Sequence, residues 1–143
     1  HARFSAQRRD YFYSCRKDRY LLDRNTVWYT GNLDLSKLNN AAEILVGEHD
    51  FLSFSKKSRD IKNTNCTIFQ SQWQESSKIV NYYVSGNRFL HHMVRYLVGT
   101  MVAISHGNYT MKEFKDLLNH PKHDVHIYRA PAYGLVLDHV SYE

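Results

Sequence analysis

Hydrophobic and polar positions alternate with a strand period in some parts of the chain and recur with a helical period in others. In RRDYFYSC, residues 8–15, Tyr11 and Tyr13 fall on one side of an extended backbone and Phe12 on the other. That aromatic alternation predicts a strand. Turn chemistry surrounds a short extended VWY at 27–29. DLSKLNNAAEILVGEH, residues 34–49, predicts a helix with apolar positions at 35, 38, 42 and 45. Asp34 or Ser36 is its N-cap and Gly47 its C-terminal stop. HDFLSFS at 49–55 reads as short and irregular, and KKSRD at 56–60 as a basic loop. NCTIFQSQWQES sets Cys66 and Ile68, then Trp73, in alternation, and KIVNYYVSG continues the pattern past Ser76–Ser77, so the two predict a hairpin. TMKEFKDLLNH predicts another helix, with Thr110 and Glu113 at capping-box spacing and Pro121 just past its end. YGLVLDHVSYE predicts a last strand. Together these elements predict one α+β domain over residues 1–143, with a mostly antiparallel sheet packed against helices.

The long segment GNRFLHHMVRYLVGTMVAISHG, residues 86–107, is apolar yet carries His91, His92 and Arg95 in its middle. Placed on a helix over 88–102, Phe89, Leu90, Met93, Val94, Leu97, Val98 and Met101 cover about half the circumference. Arg88, His91, His92, Arg95 and Gly99 share the remaining stripe. The bland reading is a solvated stripe. Against it, so wide an apolar face leaves little room for idle polar residues. An arginine held there needs a carboxylate or phosphate partner, because its charge cannot be shed. Gly99, one turn on, lets another element approach closely.

Composition narrows the chemistry only a little. A hydrophobic fraction of 43% with 2 Pro and 6 Gly indicates a folded domain. A net charge of +5 is compatible with a polyanionic partner without requiring one. Cys15 and Cys66 lack a CxxC spacing and read as two free thiols of a cytoplasmic protein, although a disulfide between them stays open. The longest apolar segment is interrupted by charge and is not a membrane span. HHxxR supplies no metal-binding helix motif, so no metal is expected there. His120, His123 and His126 form an HxxHxxH run that keeps a weaker metal-binding reading open. No glycine-rich phosphate loop and no GxSxG elbow is present. HARFSAQRRDY interleaves Arg3, Arg8 and Arg9 with Phe4 and Tyr11. Basic and aromatic residues in alternation suit RNA with a flipped base, and equally a solvated edge strand.

HARFSA, a Tyr seven residues after Phe4, HDFLSF, FLHHMVRYLVGT and APAYGLVL, in that order, resemble the tRNA pseudouridine synthase A (TruA) family over nearly the whole chain. The resemblance implies isomerisation of uridine to pseudouridine in the tRNA anticodon stem-loop, at positions 38–40 of the tRNA, without cofactor. It implies that Tyr11 stacks on the target base, that Leu135 walls the pocket, and that Arg95 pairs with a nucleophilic aspartate. It places Arg3, Phe4, His91 and His92 along the RNA. The family's aspartate lies in an RTDAG-type motif upstream of HARFSA, and no Asp of this chain has that context. The chain is therefore expected to be a C-terminal half, inactive alone, whose partners are tRNA, the missing N-terminal half and a second copy in a homodimer. A non-catalytic RNA-binding module of the same fold is the alternative. Asp10, beside Tyr11, departs from the more basic residues usual there.

Overall fold

A computed structural model describes residues 6–56 and 63–142. Strand β1 (Ala6–Arg16) is the one on which the sheet is built. One edge of β1 pairs antiparallel with β5 (Ile79–Gly86) along Arg9–Arg16. Its other edge is shared. Residues 6–13 pair antiparallel with β6 (Leu135–Tyr142), whereas Cys15 and Arg16 pair in parallel with β2 (Trp28–Tyr29). Beyond β5 come β4 (Asn65–Ser76) and then β3 (Gly47–Asp50), both antiparallel. The result is a six-stranded mixed sheet, antiparallel except for the β1–β2 pair.

Helices α1 (Leu35–Glu43), α2 (Met93–Ser105) and α3 (Met111–Asn119) complete the α+β fold. The face toward the helices carries Tyr13, Cys15, Val80, Tyr82 and Trp73, all essentially inaccessible to solvent. Trp73 donates its indole N–H to the Met101 sulfur of α2 at 3.4 Å, and Asn39 of α1 bonds the Trp73 main chain through both its amide oxygen and nitrogen. These bonds fix both helices on one sheet face while the aromatic rings fill the layer between. Both cysteines are free and buried on different strands. Burial pushes the Cys66 thiol up to about 11, so thiolate chemistry is suppressed there.

Most boundaries follow from local chemistry. Asp34 caps α1 by accepting the Lys37 N–H at 3.1 Å. In α3 the Thr110 hydroxyl accepts the Glu113 N–H at 3.0 Å and the Glu113 carboxylate accepts the Thr110 N–H at 3.1 Å. The hairpin loop is Ser77–Lys78, with Ser77 at φ 57. A register shift between Ile68 and Gln70 inserts Phe69 as a bulge. Burial then moves from Cys66 and Ile68 to Ser71 and Trp73, and Phe69 turns outward, 46% exposed.

Two expectations need correction. Residues 47–50 form a strand, not a helix stop and an irregular segment. Helix α1 ends at Glu43, and Gly47, at φ 106, opens β3. Glu48, His49 and Asp50 carry no hydrophobic alternation because β3 is a short edge strand, so the pattern was silent. The following 3-10 turn, Leu52–Phe54, buries Phe51 and Phe54, the latter against Phe114 of α3 at 5.5 Å. The long helix also begins at Met93, five residues later than the periodicity places it. Leu90 accepts the Met93 N–H at 3.0 Å in a turn that the left-handed His92 closes.

The capping box makes a prediction. Thr110→Ala should lower stability by about 1 kcal/mol, read as an earlier urea midpoint with unchanged slope. An unshifted midpoint would show that the cap contributes nothing.

Candidate active site at the start of helix α2

The N-cap of α2 is His92, at φ 62. Left-handed backbone is uncommon for a side-chain-bearing residue and costs energy that its surroundings must offset. Its carbonyl accepts the Tyr96 N–H at 3.0 Å, but its side chain caps no helix amide. The ring Nδ1 lies instead 3.1 Å from Nη1 of Arg95.

Arg95 has a second tether. Its Nε–H donates to the Ala130 carbonyl at 2.8 Å, and the Ala130 N–H donates to the Arg95 carbonyl at 2.9 Å. Residues 128–130 can come this near because α2 has no side chain at position 99. A Cβ built on Gly99 would lie 2.5 Å from the Tyr128 carbonyl oxygen and 2.8 Å from the Ala130 nitrogen. The close approach expected at Gly99 is thus made by this segment. The same segment is anchored from the sheet, where the Tyr13 hydroxyl donates to the Pro131 carbonyl at 2.6 Å. Gly134 lies against the Tyr13 ring, where a Cβ would come within 2.7 Å. The chain then enters β6 at Leu135.

These constraints create a cleft of about 440 Å³ lined by Tyr11, Phe89, His91, His92, Arg95 and Leu135, among others. The Tyr11 and Phe89 rings stand nearly perpendicular, with a centroid distance of 5.0 Å and an interplanar angle of 81°. His91 and His92 stack at 3.8 Å. Five site residues singled out from sequence, Tyr11, His91, His92, Arg95 and Leu135, therefore meet in one place. Arg3 and Phe4 lie outside the described residues. Asp10 is no intruder. It points to the opposite sheet face, where Arg8 pairs with it at 2.8 Å. Burial alone would raise its pKa, but the Ser85 and Arg8 hydrogen bonds and the Arg8 charge outweigh that and hold it below the usual value.

The cleft is electropositive. Burial lowers the His92 pKa below its ordinary 6.5, and His91, Arg95, Arg129 and Lys56 push it the same way. The positive end of the α2 dipole adds to this field. Arg95 takes part in no ion pair among the described residues. With Nε–H and one Nη1–H engaged, three of the five guanidinium N–H groups have no acceptor there. Such a site suits a carboxylate or phosphate.

No three His, Cys, Asp or Glu side chains converge as metal ligands among the described residues. His120 lies 4.0 Å from Asp116, while His126 approaches the Tyr128 hydroxyl at 3.4 Å. Ala130 opens the APAYGLVL motif, but the motif gives no sign that it acts through its main chain; Gly99, the small residue that admits it, is the sequence signal of that close approach.

A family model described as tRNA pseudouridine synthase matches residues 41–143. The chain belongs to the tRNA pseudouridine synthase family. Among curated members of that family, the tRNA pseudouridine synthase A of Chlorobium limicola is 40% identical over 143 residues, 99% of this chain and 59% of its own length. That of Ehrlichia chaffeensis is 34% identical, covering 99% of this chain and 59% of its own length. That of Bacillus licheniformis is 30% identical, covering all of this chain and 59% of its own length. The chain thus spans about three-fifths of the length of these synthases. No helix among the described residues is long and apolar enough to cross a membrane.

Gly99→Ala tests the docking of residues 128–130. Backbone atoms must shift to admit the methyl, at a net cost of about 1–2 kcal/mol despite alanine's better helix propensity. A variant as stable as the parent in urea denaturation would mean that the segment is not held against the helix.

Proposed function

We propose that this chain is the C-terminal portion of a tRNA pseudouridine synthase that isomerises uridine to pseudouridine in the anticodon stem-loop, at positions 38–40 of the tRNA. It acts together with a part of the protein not contained in these residues. The observation that carries the reading is Arg95: tethered twice, lining a cleft with Tyr11 and Leu135, and without a carboxylate from the described residues. The names and the greater length of the relatives support it.

In this reading the missing partner is an aspartate from the remainder of the protein. Arg95 keeps that aspartate ionised and aimed at the ribose or base of a flipped uridine. The N1–C1′ bond breaks, the uracil turns over, and a C5–C1′ bond forms. N1 gains a proton and the C5 hydrogen leaves to solvent. Tyr11 offers a ring for the base to stack on, Leu135 an apolar wall, and His91 an exposed contact for the RNA, with Arg3 and Phe4 further along it. The reaction calls for no external oxidant or reductant, because the isomerisation is redox-neutral, and in this reading no cofactor takes part. The working protein is a cytoplasmic homodimer with tRNA across both subunits.

The test is tritium release from uracil-C5-labelled tRNA by the full-length protein and by this chain, side by side. Release by the full-length protein alone is expected. Binding of tRNA without release by either would favour the non-catalytic RNA-binding module. In the full-length protein, Arg95→Ala should cut turnover by about two to three orders of magnitude while tRNA binding survives. Unchanged turnover would remove Arg95 from the site. Tyr11→Phe should lose less than Tyr11→Ala, since it keeps the stacking face; equal losses would assign the work to the hydroxyl.

A further inference from the structure

His92 has a geometry that an RNA contact does not explain. It is a left-handed residue at the start of a 13-residue helix, and its side chain declines the usual capping role in favour of Arg95, three residues on. A guanidinium has no lone pair to offer, so at 3.1 Å the imidazole Nδ1 must be the acceptor. That requires the neutral ring with its proton on Nε2. Protonation would put a second N–H against Nη1, replacing a hydrogen bond with a contact between two cations.

The second tether, Ala130, holds Nε and leaves the outer end of the guanidinium free to pivot. The His92 ring fixes that end. We propose that His92 is a positioning residue for the isomerisation: through its neutral Nε2–H tautomer it fixes Arg95 in the orientation that receives the nucleophilic aspartate. This rests on the functional reading above.

The surroundings of His92 agree with that role. The charged and titratable groups around it are Arg95 on its own helix, His91 stacked on the ring, Arg129 from the segment before β6 and Lys56 from the segment after β3. The Tyr96 ring stands nearly perpendicular at 6.4 Å. No carboxylate of the described residues is among them, so nothing in this set stabilises an imidazolium. With burial acting in the same direction, the folded pKa lies below 6.5. The hydrogen bond is therefore fully present above about pH 6.5 and lost as pH falls through the lowered value. The left-handed residue of the turn is the same one whose ring contacts Arg95, and strained backbone of this kind clusters at functional sites.

Two substitutions separate the ring from the backbone. His92→Gly accepts positive φ and removes the acceptor. His92→Asn tolerates positive φ, supplies a neutral amide oxygen and cannot titrate. In the full-length protein, kcat for tritium release should fall roughly 10- to 100-fold in His92→Gly, with KM for tRNA little changed. His92→Asn should recover most of the loss and should lack the acidic fall in kcat expected of the parent as His92 protonates. The imidazole ¹⁵N shifts should report an Nε2–H tautomer in the parent. A fully active His92→Gly, an Nδ1–H tautomer, or an unchanged acidic limb in His92→Asn would each overturn the assignment while leaving the synthase reading intact. An inactive full-length parent would instead defeat that reading and this assignment together.

Discussion

Arg95 and Ala130 bind each other twice, main chain to main chain and side chain to main chain, across a gap that exists only because helix α2 has no Cβ at residue 99. Everything around the cleft follows from this contact. It brings residues 128–130 against the helix, and Tyr13 holds the next residue, Pro131, from the sheet side. Between those two anchors the chain has little choice about where Leu135 enters β6. One close approach thus sets the cleft's cationic end and its apolar wall in register with each other.

The electrostatics follow the same construction. A helix N-terminus, Arg95, Arg129 and Lys56 converge on a region that the described carboxylates leave alone. Asp10, the nearest acid in sequence to Tyr11, is turned to the opposite face by strand alternation and held by Arg8. A half-buried cation in this state is screened by water until a partner covers it. Its interaction then strengthens as solvent is displaced, which is how an arginine can wait for a carboxylate without a large standing penalty.

What the sequence made legible was local. Asp34 and the Thr110–Glu113 box announce helix starts because their hydrogen bonds span three residues. Tyr11, Tyr13 and Cys15 disclose the inner face of β1 because alternation needs no partner. What stayed hidden is decided at a distance. The polar strand β3 exists because β4 is there to pair with it, and the Phe69 bulge depends on the register of β5. Phe89 and Leu90 fit a helical period and still lie outside the helix, since nothing about a histidine signals the left-handed backbone at position 92. At the site, the order of the motifs was enough to single out Tyr11, Arg95 and Leu135, which the fold brings to one cleft. Neither the main-chain role of Ala130 nor the contact of His92 with Arg95 can be read from residue types.

Strand β1 has a further consequence, for how the chain reaches this structure. The β4–β5 hairpin closes through two residues and can form as soon as it is made, whereas Tyr11 must wait for Val84 and then for Leu137, and Ala6 for Tyr142. Of the six strands, β1 is made before its partners and completed only when β6 has been made. Such long loop closures make folding slow, and in the interval an aromatic, strand-forming run stands with both edges open. A strand paired along both edges in the finished domain is thus, until β6 is made, an open edge prone to aggregation.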